Sequence, residues 1–239
     1  MRRSIKFAVA GLLLVCVFST LAFARNAAAE DDTKEASSLA KSVFEAHGGK
    51  ILKELTSLLV TGSVDVTASA FQQAIPATFS TAFQGEKYLL EVNSSFAGFR
   101  QSFDGTNTYT APDRGFSLPP INRIGIELLK RLGDDGYIVS NAAEKNGFRI
   151  TSPEGYFTDF YPDKKTSLIK SYEAAYVVGG RNVTTLVEIK KYEVKDGVSI
   201  PSKYDQRFEV AGMTVYASFK AKEITLNSEI PAETFGNSK

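Results

Sequence analysis

One histidine, one cysteine and no tryptophan occur in these 239 residues, and the three scarcities exclude a good deal. Cys16 lies inside the apolar run FAVAGLLLVCVF. Val15 stands before it where a bacterial lipoprotein needs a small residue, so Cys16 reads as part of a segment that is discarded. The chain that remains has no thiol. It therefore has no disulfide framework, no thiolate metal site and no cysteine nucleophile. It must be held together by its own core, and its length of about 210 residues suffices, since chains of that size bury roughly 70% of their unfolded surface. One domain is expected.

Charge of either sign is also sparse in the sense that matters: no basic or acidic block occurs, and the formal net charge is +1. Loss of Arg2, Arg3 and Lys6 with the N-terminal segment removes three positive charges and takes it to −2. Neither a nucleic-acid footprint nor a polybasic membrane patch is present. Partners are to be recognised by apolar surface, with no nucleic acid among them.

The lone histidine, His47, sits in EAHGGK. As a metal ligand it lacks companion imidazoles and thiolates, and as the base of a triad it lacks a G-x-S-x-G nucleophile. Set before two glycines, it reads as the residue that ends a helix and meets its free carbonyls. Asp104, Asp113, Asp159 and Asp163 lie near turns, where aspartate is ordinary. No catalytic residue, metal or cofactor is assigned, and the chain is not read as an enzyme.

What is present begins with MRRSIK, an apolar run and small residues at alternate positions, the pattern of a secretory signal peptide. The apolar run is shorter than the roughly 20 residues of a spanning helix. The division is residues 1–24 as signal peptide, with an alternative end at 29, then 25–33 as a flexible leader and 34–239 as one domain.

A helix is predicted from about Thr33 to Ala46, with Ala36, Leu39, Ala40, Val43 and Phe44 on one stripe. From Ser57 the period becomes two: Val60, Gly62, Val64 and Val66, then Phe79, Thr81 and Phe83, then Tyr88, Leu90 and Val92, then Phe99, Gln101 and Phe103. Turn signals separate these and the long later runs, at Gln84-Gly85-Glu86, Asp104-Gly105, Asn146-Gly147, Glu154-Gly155, Gly179-Gly180, Asp196-Gly197 and Ala211-Gly212. The later runs include Leu168–Val178, Val183–Val194, Lys203–Val210 and Met213–Leu226. Short links mean an antiparallel meander, and long twisted strands suit a sheet that curls on itself. One stretch, APDRGFSLPPINRIGIELLKRLGDDG, interrupts the rhythm. Pro119 and Pro120 cannot sit in a central strand, and Asn122 can cap a helix in which Ile121, Ile124, Leu128 and Leu132 share a face up to Gly133.

Seventeen Phe and ten Tyr dominate the apolar composition. The inner faces they define also carry Thr81, Gln101 and many alanines. Such a mixture fits either a packed core or a concave interior that accepts a ligand, and a ligand pocket would need roughly 300 Å³ or more.

The order of several short motifs resembles the LolA-like superfamily of periplasmic lipoprotein-sorting and lipid-carrier proteins. The signal peptide and A-H-G-G helix end precede LTSLLVTG, which opens the meander. Phe103 to Pro112 is similar to a D-G-x-x-x-W/Y-x-x-P hairpin, with Tyr109 as its aromatic residue. Asp159–Thr166 and Asp196–Pro201 resemble two further turns, and Leu226–Phe235 resembles an N-x-x-I-P-x-x-x-F ending.

The resemblance implies a mainly β fold with α (α+β): a curved antiparallel sheet forming an incomplete β-barrel, covered by the N-terminal helix and a mid-chain lid helix. It implies an exported carrier, in the periplasm of a Gram-negative-type bacterium, that holds lipid or lipoprotein acyl chains in an apolar cavity. The alternative is an envelope sensor on the same scaffold that binds an acylated ligand and regulates a membrane partner. The side chains expected to line the cavity are Phe79, Phe83, Tyr88, Leu90, Phe99, Phe103, Tyr109, Phe208, Val215 and Phe219. Those expected on the lid are Phe116, Ile124, Leu128 and Leu132, with Arg100, Arg114 and Arg123 as candidates for a lid-locking arginine.

Overall fold

A computed structural model describes residues 33–68, 73–95, 98–112, 118, 120–178, 181–210 and 213–237. The signal peptide with Cys16, the leader to residue 32, Asp113, Arg114, Phe116, Pro119 and the Gly179-Gly180 and Ala211-Gly212 turns lie outside the described residues.

Helix α1 covers 33–46 and buries Ala36, Ala40 and Val43, with Leu39 and Phe44 packed at its margin. Two bonds close it: Gly48 N–H donates to Glu45 O at 3.1 Å and Gly49 N–H to Phe44 O at 2.9 Å, the pairing of a Schellman motif. Gly48 has φ +120, and a Cβ there would come 2.9 Å from Gly197 O, so glycine is required twice over. A single helical turn, α2 (Lys50–Lys53), follows and buries Leu52.

The rest is strand: β1 (Ser57–Ala68), β2 (Ile75–Gln84), β3 (Lys87–Ser94), β4 (Gly98–Phe103), β5 (Thr108–Ala111), β6 (Ile138–Asn141) and β7 (Phe148–Thr151). Then come β8 (Phe157–Pro162), β9 (Ile169–Val178), β10 (Arg181–Lys195), β11 (Val198–Val210) and β12 (Met213–Leu226). All twelve form one antiparallel sheet in the order β5-β4-β3-β2-β1-β12-β11-β10-β9-β8-β7-β6. The first and last strands pair at its centre, and the sheet does not close. Register shifts at Thr61/Gly62, around Lys191 and at Tyr161/Pro162 are the irregularities that bend such a sheet.

This order dictates the cover. Strand β5 is one edge and β6 the other, so the chain between them must cross the whole sheet. It does so through two 3₁₀ segments, Ile121–Arg123 and Gly125–Arg131, where the sequence pattern predicts one α-helix. The reason lies at Ile124 and Gly125. Ile124 is extended (φ −138, ψ 163) and Gly125 has φ +66, so no α-helical bond can run through the pair. Asn122, the expected cap, instead donates its side-chain N–H to Glu86 O at 2.9 Å. Strand β6, four residues at an edge, was not anticipated.

The two faces of the sheet carry separate cores. On the inner face Val64, Phe79, Tyr88, Phe148, Ile150 and Phe160 pack with α1 and the mid-chain cover. On the outer face Ala82 and Leu89 pack with Ile230 and Phe235. Arg100 fixes that C-terminal segment, donating to Thr234 O at 2.7 Å and Gly236 O at 3.0 Å. Among the described residues no helix is long and apolar enough to cross a membrane.

Candidate ligand-binding site

A cavity of about 200 Å³ lies between the concave face and its cover. The sheet contributes Leu58 and Val60 from β1, Phe79 and Phe83 from β2, Leu90 from β3, and Val187, Ile189, Ile200 and Tyr204 from the far side. The cover contributes Ile121, Ile124 and Ile126, and the α2 region Leu52 and Leu55. The volume is below the roughly 300 Å³ at which ligand pockets begin. The space is small and partly open to solvent.

Of the residues expected to line the cavity, Phe79, Phe83 and Leu90 do, as does Ile124 of the expected lid. Others lie on the same face but behind or beside it. Phe219 backs the wall, with Tyr204 stacked on it at 4.7 Å and Phe79 edge-on at 5.1 Å. Tyr88 stacks on Phe103 at 5.8 Å. Phe208 pairs with Val215 toward the end of β11. Phe99 borders a shallow open trough with Glu91, Arg100 and Pro112.

Tyr109 faces the other way. It stands opposite Ser102, on the outer side of the sheet, and donates its hydroxyl to Asp104 Oδ2 at 2.9 Å. Asp104 also accepts from the backbone N–H groups of Asn107 and Thr106, each at 2.8 Å. These bonds hold its carboxyl below the usual carboxylate range. The hairpin aromatic residue thus serves a turn. Counting by two from Phe103 places Tyr109 in register with it, and only the turn that pairs Phe103 with Thr108 puts Tyr109 on the other face.

Of the other expected lid residues, Leu128 is fully buried together with its neighbour Leu129, and Leu132 packs at the edge of the core. They anchor the cover. Polar ties complete its attachment. Gln101, buried on β4, grips the backbone of Leu118 from both sides: Leu118 N–H donates to Gln101 Oε1 at 2.6 Å, and Gln101 Nε2–H donates to Leu118 O at 3.0 Å. Its amide also donates to Tyr88 Oη at 3.1 Å. The glutamine that looked like a cavity-lining polar group is instead a clamp.

Further along, Arg123 pairs with Glu86 at 2.7 Å and Glu154 at 3.4 Å and donates to Tyr137 Oη at 2.8 Å. Arg131 pairs with the same Glu86. Glu86, at the tip of the β2–β3 turn, therefore holds two arginines of the cover. Lys53 adds a bond to Leu132 O at 3.0 Å and a pair with Asp134 at 2.8 Å. Of the candidate locking arginines, Arg123 ties the cover, whereas Arg100 serves the opposite face.

His47 ends α1, as the glycines implied, yet it is also fully buried. Its Nδ1 lies 2.9 Å from Val43 O, to which it donates, and its Nε2 lies 3.2 Å from Tyr192 Oη. Tyr192 in turn donates to Ile169 O at 2.7 Å. Burial pushes the imidazole pKa down, partly offset by the Val43 bond. Its surroundings make it a joint between α1 and the sheet. Among the described residues no group of three His, Cys, Asp or Glu is placed to hold a metal.

No protein-family profile matches the chain, and comparison with curated proteins finds no match. Solved structures do. A LolA superfamily protein from Nitrosomonas europaea is 12% identical over 83% of this chain and 97% of its own, with a TM-score of 0.50. A protein domain from Vibrio parahaemolyticus, described as of the outer membrane lipoprotein-sorting kind, is 8% identical over 85% of this chain and 97% of its own, with a TM-score of 0.51. Together with the open antiparallel sheet and the cover that crosses it, these matches show that this chain has the LolA-like fold.

Proposed function

We propose that the protein is an exported, non-enzymatic carrier that binds lipid or the acyl chain of a lipidated molecule in its interior, within a bacterial periplasm. The observation that carries this reading is the cavity itself. The space between β1–β3 and the Ile121–Ile126 segment is left open and lined largely by aliphatic and aromatic side chains. Burying a chain there would remove apolar surface from water at about 25 cal/mol per Å². The solved structures that share the fold, one of them described as of the lipoprotein-sorting kind, support the same reading. Because the cavity is small, at about 200 Å³, a full acyl chain enlarges it by displacing the cover. Binding and cover movement are then one event.

Native mass spectrometry of protein purified from the envelope of its own host tests this. The expected spectrum contains a population carrying an apolar small molecule or acylated peptide that is released on denaturation. A ligand-free mass alone, together with no uptake of added fatty-acyl esters, would refute the carrier.

A further inference from the structure

We infer that the cavity selects a neutral, carbonyl-bearing amphiphile, of the acyl-ester class, through the hydroxyls of Tyr172 and Tyr204. The inference rests on the proposal that an apolar ligand occupies the cavity, and it adds the polar group which that ligand must carry.

Tyr172 on β9 and Tyr204 on β11 flank β10, opposite Val187 and Ile189 respectively, and both line the cavity. Tyr204 is held flat against Phe219, and Tyr172 is held beneath Gly125 and against Phe160. Of the other tyrosines of the inner face and cover, Tyr88 is engaged by Gln101, Tyr137 by Arg123 and Tyr192 by Ile169 O, while Tyr176, further along β9, has no such bond among the described residues and does not line the cavity. Among the described residues nothing hydrogen-bonds the hydroxyl of Tyr172 or Tyr204, and neither oxygen is among those sealed away from all accessible space. Buried phenol hydroxyls find partners as a rule. Two that lack one and belong to the lining of the same cavity are donors left free for an acceptor there.

The nearby polar groups do not compete for that role. Gln206 Nε2–H donates to Thr185 Oγ1 at 2.9 Å, and Thr185 donates to Arg207 O at 3.3 Å. Burial pushes both phenols' pKa up, so they remain protonated donors. Among the described residues Glu127 is the one charged residue of the lining and is paired with Lys130 at 3.4 Å, and no Lys, Arg or His lines the cavity. An anion there would be buried without a free cation to pair with, which is costly. An ester or amide carbonyl fits; a free carboxylate or phosphate does not.

The test is displacement of a fluorescent apolar dye from the full chain, near neutral pH, by methyl octanoate, octanoate and octane. The wild type is expected to bind the ester more tightly than the other two. Tyr172→Phe and Tyr204→Phe, which keep the ring packing, should each weaken ester binding about five- to tenfold and leave octane unchanged. Glu127→Gln should narrow the gap between ester and octanoate. Equal affinity for ester and octane, or ester binding indifferent to both tyrosines, overturns the inference while leaving the apolar cavity standing. So does tighter binding of octanoate than of the ester. Displacement by none of the three overturns the inference and the carrier proposal together. A dilauroylglycerol and a diacylglyceryl-modified peptide then separate a lipid from an acylated protein as the source. Tyrosine dependence with the tighter-binding of the two supports the assignment, and its absence with both overturns it.

Discussion

Gly125 crosses the ring of Tyr172 so closely that a Cβ built on it would lie 3.1 Å from the tyrosine hydroxyl oxygen and 3.2 Å from two ring carbons. The same glycine has φ +66 and donates its N–H to Thr158 Oγ1 at 2.9 Å. It is the point at which the cover is laid on the sheet. Gly125→Ala combines a left-handed backbone penalty of about 1 kcal/mol with a displaced Tyr172. The expected loss in urea unfolding is about 1–3 kcal/mol, accompanied by altered ligand affinity. An unchanged midpoint would mean that the cover does not depend on this contact.

The second prediction concerns His47 and pH. Its folded pKa is lowered, chiefly by burial, so below the unfolded value the unfolded chain binds more protons than the folded one. Stability is therefore full above about pH 6.5 and falls as pH drops through the window down to the folded pKa. Urea titrations between neutral and mildly acidic pH should show this slope in the wild type and a shallower one in His47→Gln. The substitution itself should cost about 1–3 kcal/mol, because it strips partners from a buried joint. The helix-end reading alone implies a much smaller loss.

Glu86 supplies the third. It holds Arg123 and Arg131 at once, and its side chain is 46% exposed, so each pair contributes at most about 1 kcal/mol. Glu86→Ala should leave global stability within about 1 kcal/mol yet speed hydrogen exchange across 120–132 and quicken ligand entry. The buried Leu128 and Leu129 should remain protected. Uniform exchange across the cover in both proteins would show that these pairs do not govern its opening.

The architecture was legible in the sequence because period-two runs and glycine turns are local signals. Val60, Phe79, Tyr88 and Phe99 mark strands whose neighbours follow from short links. The cover was legible as an interruption, but not as 3₁₀ segments, since the break depends on Gly125 meeting Tyr172 across 47 positions of sequence. The cavity was half legible: alternation places Phe79, Phe83 and Leu90 on the inner face, but which aromatic residues touch open space depends on where α2 and the cover lie. Gln101 and His47 show the same limit. Each looks like a site residue or a helix end by type, and each acts through partners 17 or 145 positions away. Tyr172 and Tyr204 gave no signal at all, because a tyrosine without a partner cannot be seen until the partners of the others are known.

Photolabelling tests the central claim, that an acyl chain lies under the cover, most directly. A fatty-acyl ester with a diazirine at its chain end is bound, irradiated and mapped by peptide mass spectrometry. Labels are predicted on Leu58, Val60 or Phe79 of the sheet and on Ile121 or Ile126 of the cover, which line the cavity together. Labels confined to Leu59 and Leu89 on the outer face, or to the exposed Val194 and Tyr216, would contradict it.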